Sequence, residues 1–163
     1  MATLSQILSA RDERQALQRE MLRQNPGKTL VCLTVVMPGS VKRNRQSLVI
    51  ANAALCALTA QFGSSGLLLR DLATGFEAFL LTSLSPRDAK RAVCRIEEEH
   101  PLGRLFDLDV IGPDGVPLER TALGLEPRKC LLCDKEARWC MRNHTHSLED
   151  IMGRIDQMID AYV

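Results

Sequence analysis

The segment "TLVCLTVV", Thr29–Val36, is apolar or β-branched at every position. A strand with one wet face alternates apolar and polar residues, so an unbroken run of this kind needs cover on both faces. The rest of the chain must therefore supply a layer on each side of a sheet. One candidate precedes it: a helix over about Ser5–Gln24, with Leu4, Ile7, Leu8, Leu17 and Met21 as an apolar stripe and "NPG" as its stop. A second follows the loop "MPGSVKRNRQ": the stretch Leu48–Phe62, too short and too polar at Asn52 for a bilayer, reads as a buried helix.

The remaining signals are of the same kind. "GLLLRDL" and "GFEAFLLTS" around "ATG" predict a hairpin. "SPRD" opens a helix, with Ser85 as N-cap, Pro86 at the first helical position, Asp88 near the positive dipole end, and Ala89, Val93 and Ile96 turned inward. A strand over "LFDLDVI", a "GPDG" turn and a short return strand come next. Ser147 and Asp150 open a last helix that carries Ile151, Ile155, Met158, Ile159 and Tyr162 at helical spacing. Strands grouped as hairpins between helices predict an α+β fold, one domain over residues 1–163, with a mixed or mostly antiparallel sheet.

Composition narrows the function. With 45% apolar and 25% charged residues, 163 residues can build a core without disulfides or metal. A net charge of +1 argues against binding polyanions by bulk charge, and one Trp, one Tyr and four Phe leave little to stack on bases. No nucleic-acid partner is expected. Charges at Arg11, Asp12, Glu13 and Arg14 interrupt any secretory-type signal, and six cysteines fit a reducing cytoplasm. No membrane partner is expected either.

Asp107 and Asp109 stand out inside "LFDLDVI", because ionised carboxylates are costly in a buried strand unless something pairs with them. Alternation puts both on one face with Leu105 and Ile111, while Phe106, Leu108 and Val110 take the other. Two strand steps separate them by roughly 6.6 Å, so both can converge on a divalent cation. Mg²⁺ favours a few carboxylates plus substrate phosphate oxygens. The competing reading is an edge strand with a solvated face, or ion pairs to arginines. Arg104 and the "PLG" turn stand at the entrance of the strand. The loop "PGSVKRNR" offers Gly39 for close backbone approach, and Lys42, Arg43 and Arg45 as phosphate partners.

"SARDERQALQ", "TVVMPGSVK", "HPLGRLFDLDV" and "RKCLLCDKEARWCMRNHTH" together resemble the apo-citrate lyase phosphoribosyl-dephospho-CoA transferase family over nearly the whole chain. The resemblance implies a nucleotidyltransferase-like fold and reaction. The donor would be 2′-(5″-triphosphoribosyl)-3′-dephospho-CoA, and the acceptor a serine of the citrate lyase acyl carrier (gamma) subunit, with pyrophosphate released. On that reading Asp107 and Asp109 hold Mg²⁺, with Asp109 a candidate base. Arg104, Lys42 and Arg43 face the triphosphate, with Gly39 and Gly103 giving close approach. Two alternatives accompany it: the equivalent transferase for the malonate decarboxylase carrier, and a zinc-stabilised binding module.

Near the C-terminus, Cys130, Cys133, Cys140, His144 and His146 follow C-x2-C-x6-C-x3-H-x-H. Three thiolates and one imidazole can close a tetrahedral structural zinc site. The family-like stretch selects His146, which gives Cys130, Cys133, Cys140 and His146 as the set. The competing expectation is reduced thiols buried in a short helix packed by Trp139. His100 reads as a helix-end residue held by its own backbone. Arg11, Arg14, Arg19 and Arg23, and Arg87, Lys90 and Arg91, read as solvated helix faces, with docking of an acidic carrier as the alternative.

Overall fold

The computed structural model describes all residues 1–163, as five helices and four strands. In chain order these are α1 (Leu4–Gln24), β1 (Thr29–Val35), α2 (Arg45–Phe62), β2 (Leu68–Leu72), β3 (Gly75–Thr82), α3 (Pro86–Glu99), β4 (Phe106–Ile111), α4 (Ala137–Asn143) and α5 (Leu148–Tyr162). The strands form one antiparallel sheet in the order β2-β3-β1-β4. This is the α+β arrangement expected from the hairpin grouping.

β1 lies inside the sheet and is covered on both faces, as its composition demands. Val31 and Leu33 join Ile50, Leu58, Val93, Phe106, Leu108 and Ile155 in the larger core under α2, α3 and α5. Leu30 and Cys32 join Met21, Leu22, Phe79, Leu81 and Ile111 in a smaller core under α1. Complete burial of a Phe or Leu side chain contributes about 1.5–3 kcal/mol, so the larger cluster dominates stability.

Several boundaries differ from expectation, each for a local reason. Asn44 accepts from the Ser47 backbone N–H and Ser47 returns a bond to the Asn44 backbone, so α2 begins at Arg45 rather than Leu48. Thr3 and Gln6 make the same reciprocal cap on α1. Only Met21 and Leu22 of α1 are buried, whereas Leu4 and Leu8 are exposed, because the helix overlaps the sheet at its C-terminal half alone. Leu105 falls in a 3-10 turn, Gly103–Leu105, and packs in the larger core instead of sharing the aspartate face. The return strand after "GPDG" is reduced to one bridge between Ile111 and Pro117.

β4 is an edge strand, and its free side is closed. Glu97 of α3 accepts from the Leu108 N–H (3.1 Å), and Lys90 donates to the Leu108 carbonyl (3.3 Å). The Leu118 N–H donates to the Val110 carbonyl (2.9 Å). Unpaired edges invite intermolecular pairing, and these three bonds remove the invitation. Lys90, expected on a solvated face, is buried for this purpose. Glu97 is buried too, and Arg120 neutralises it.

Gly103 sits where the 3-10 turn crosses the end of α3. A Cβ there would overlap the backbone carbonyls of Glu97 and Ile96. Gly103→Ala is expected to cost about 2 kcal/mol, as backbone must shift to relieve the overlap, and urea unfolding would show it as a lower midpoint.

Candidate active site and metal cluster

The face of the sheet under α1 changes character along its length. At one end it is apolar, where Leu81, Leu30 and Ile111 lie side by side on β3, β1 and β4. At the other end a polar row crosses all four strands in register: Arg70, Glu77, Thr34 and Asp107. Between them Asp109 pairs with Cys32. Strands lie about 4.8 Å apart, so this row is a continuous polar strip rather than scattered charges.

Both aspartates lie on this face and are exposed, as alternation along β4 requires. Thr34 Oγ1 donates to Asp107 Oδ2 (3.0 Å), and Arg128 stands 3.6 Å from its Oδ1. Asp109 has no ion pair. Partial desolvation of its carboxyl by the protein packed around it, together with the charge of Asp107, raises it above the usual carboxylate range. The repulsion between the two acids is thus built into the strand, and a bound cation would relieve it.

Asp107 stands between two cavities. Thr34 lines one of about 150 Å³ with Arg14, Lys42, Gly75, Phe76 and Glu77. Arg128 lines another of about 350 Å³ with Arg104, Arg120, Glu97 and Lys129. In the smaller one Glu77 is buried and paired with Arg14 (3.1 Å) and Arg70 (3.3 Å). Burial nevertheless holds its carboxyl above the ordinary value. Arg14 is therefore not part of a purely solvated face.

The cysteine segment folds back on itself to gather its ligands. The Cys130 N–H donates to the Lys135 carbonyl (2.7 Å), and Lys129 bridges to Glu136. α4 then delivers Cys140. The ligand atoms of Cys130, Cys133, Cys140 and His146 all lie within 4.8 Å of one another. Tetrahedral zinc with bonds of about 2.3 Å sets sulfurs roughly 3.8 Å apart, so little closure is needed. His146 Nε2 is buried with no hydrogen-bond partner, as an imidazole reserved for an ion would be. Burial raises Cys130, but N–H groups of Leu132 and Cys133 and the neighbouring thiols outweigh it and bring the thiol to about 7. Cys140 is pushed up to about 11 by burial and by its bonds to Cys133 and Cys130. His144 is elsewhere, in the left-handed conformation that ends α4. Trp139 is 44% exposed and lies beneath the Lys135 ammonium.

Comparison with known sequences bears on this arrangement. Residues 2–162 match the family described as apo-citrate lyase phosphoribosyl-dephospho-CoA transferase. The chain belongs to that family. A relative of that description from Shigella boydii serotype 18 is 37% identical over 163 residues, spanning 97% of this chain and 88% of its own. Relatives from Escherichia coli O157:H7 (strain EC4115 / EHEC) and Escherichia coli strain 55989, the latter described as probable, match to the same extent.

Among the residues expected to serve this transferase, Asp107 and Asp109 share one face of β4, and Arg104 lies in the turn before it on the lining of the larger cavity. Lys42 lies in the smaller cavity, where its ammonium donates to the Met37 carbonyl (2.6 Å) and burial lowers its proton affinity. Gly39 takes a φ of +78° beside Leu148, which a side chain would strain. Arg43 is drawn to the surface by a two-point pair with Asp71, both bonds 2.8 Å. Gly103 is accounted for by its packing on α3. His100 ends α3, and its Nδ1 accepts from the Leu102 N–H (3.0 Å).

Glu77, Thr34 and Arg128 were missed from sequence. Glu77 carries the same signal that exposed the aspartates, a carboxylate inside an apolar strand, "GFEAFLLT". Arg128 had none, because its reach to Asp107 depends on how the cysteine segment folds.

Proposed function

We propose that this chain moves the phosphoribosyl-dephospho-CoA group from 2′-(5″-triphosphoribosyl)-3′-dephospho-CoA to a serine of the citrate lyase acyl carrier (gamma) subunit, and that residues 1–163 act as one transferase domain. The observation that carries it is the pair of carboxylates on one open face of β4, with Arg128 beside Asp107, in a chain of this family. The serine oxygen forms a bond to the phosphorus nearest the ribose. The bond from that phosphorus to the pyrophosphate oxygen breaks, and the pair leaves with pyrophosphate. Asp109 takes the hydroxyl proton. Such transfer relies on positioning and charge neutralisation more than on covalent help.

The two aspartates fit a Mg²⁺ ion, given their shared face and mutual repulsion. When bound, that ion supplies positive charge to the phosphate oxygens. Arg104 holds phosphate, while Lys42 and Gly39 serve the donor from the smaller cavity. Arg43 can join them, because an exposed pair such as Arg43–Asp71 is worth under about 1 kcal/mol and yields to a phosphate. Cys130, Cys133, Cys140 and His146 hold a structural zinc ion. No helix is long and apolar enough to cross a membrane, and six free cysteines support a cytoplasmic setting.

Family membership favours the citrate lyase carrier over that of malonate decarboxylase, and a transferase over a zinc-stabilised binding module. Mass spectrometry of apo-carrier incubated with the protein, donor and Mg²⁺ tests the reading. The carrier should gain one prosthetic group, lose that gain with chelator, and regain it when Mg²⁺ alone is restored. An unmodified citrate lyase carrier beside a modified malonate decarboxylase carrier would overturn the assignment.

A further inference from the structure

The larger cavity is lined by four cations, Arg104, Arg120, Arg128 and Lys129, against three carboxylates, Glu97, Glu98 and Glu126. Arg104 is half-buried at its wall, yet its guanidinium makes no ion pair and no hydrogen bond within the chain. Burial and the neighbouring charge of Arg128 both weaken its hold on its proton. Arg128 stands beside it, donating to the Arg104 carbonyl (2.8 Å) and lying 3.8 Å from Glu97. Glu97 does not balance the pair, since Arg120 and the Leu108 N–H already hold it. Glu98 is occupied by Arg120 as well (3.1 Å). Lys129 adds a further cation on the cavity lining.

Arg128 has Asp107 (3.6 Å) as well as Glu97 beside it, so the guanidinium left without an anion is that of Arg104, which is costly in a partly dry cavity until an anion pairs with it. Guanidinium forks match phosphate oxygens two at a time. At about 350 Å³ the cavity is at the small end of ligand pockets, suited to a compact polyanion rather than a nucleoside. Its position completes the case, because Arg128 touches both this cavity and Asp107.

We propose that this cavity is the leaving-group subsite, in which Arg104 and Arg128 hold the two terminal phosphates of the donor and then the pyrophosphate product. The proposal rests on the transferase reading and assigns the direction in which the donor lies: triphosphate tail toward α3, ribose toward Asp107. Arg128 is fixed there by the cysteine segment, since its carbonyl accepts from the Ala137 N–H (2.8 Å) two residues before Cys130.

Calorimetric titration of the full-length protein with inorganic pyrophosphate tests it. Native protein should bind, Arg104→Met and Arg128→Met should each bind about tenfold more weakly, and the double variant should bind hardly at all. Arg128→Lys should recover part of the loss, and Arg91→Gln, at an exposed pair with Asp88, should bind as native protein does. Unfolding curves identify any variant whose fold has failed, and the conservative Arg104→Lys and Arg128→Lys then take its place. Native binding unchanged by every substitution would overturn the subsite. So would absent pyrophosphate binding in protein that modifies its carrier normally, an outcome that leaves the transferase reading intact. Loss of carrier modification with pyrophosphate binding preserved would instead strike the transferase reading and leave the anion site standing.

Discussion

Asp107→Asn and Asp109→Asn proteins are expected to modify the apo-carrier about a thousandfold more slowly than the native protein, with their folds intact. Each substitution keeps size and removes one charge from a site whose work is electrostatic, where loss of one stabilising group typically costs 10²–10³ in rate. Both side chains are exposed, so neither supports the core. The stability consequence separates them. Asp107 loses an acceptor for Thr34 and a partner for Arg128, and Asp107→Asn should be neutral or slightly destabilising. Asp109 has no such partners, and its carboxyl is raised by partial desolvation and by Asp107.

The sign of the pH effect follows. In the unfolded chain Asp109 titrates at the ordinary carboxylate value near 3.8. A raised native value means that its ionised form disfavours the fold. Below the unfolded value the acid is protonated in both states and the penalty vanishes. Above the raised native value the penalty is complete. Asp109→Asn should therefore be as stable as, or more stable than, the native protein at neutral pH, and the difference should shrink as pH falls through that window. Urea unfolding at several pH values, paired with carrier mass shifts, checks both halves. Near-normal transfer by either variant would remove the carboxylates from the reaction.

The second large effect concerns the cysteine cluster. Purified protein should contain one zinc ion per chain, and Cys133→Ser should abolish its retention. Zinc binding to small folding units is worth on the order of 10 kcal/mol, and here the unit stabilised is the segment from Arg128 to His146. Both hydrophobic cores lie elsewhere, with only Leu131 of this segment packed against one of them. The expected result is accordingly local. The sheet and the other four helices persist, while amide exchange and proteolysis accelerate over residues 128–146, α4 included. The melting temperature falls by about 10 °C, the scale of a loss of several kcal/mol in a chain this size. Carrier modification should fall with it, because Arg128 loses its anchor. A protein free of zinc after metal-replete purification, with the segment still protected from exchange, would refute the assignment.

Much of this was legible in the sequence where chemistry is local. "SPRD" specifies its helix start through one hydroxyl and one proline, and the apolar and β-branched β1 demanded its central place. The aspartate pair was visible because strand alternation makes charge conspicuous. The start of α2, the burial of the α1 stripe and the start of β4 were not, since they depend on the Asn44–Ser47 cap, on where α1 meets the sheet and on the 3-10 turn at Gly103. The cysteine cluster was legible as a set of ligands. Its connection to Asp107 through Arg128 arises only in three dimensions, from a fold-back that no period or spacing announces.

The closed edge of β4 also decides how a second protein can approach. With Leu108 already satisfied by Glu97 and Lys90, the strand bearing the acids has no free amide ladder to lend. A visiting polypeptide cannot register itself there by extending the sheet. If the two aspartates carry the transfer, the acceptor hydroxyl reaches them from above the open face.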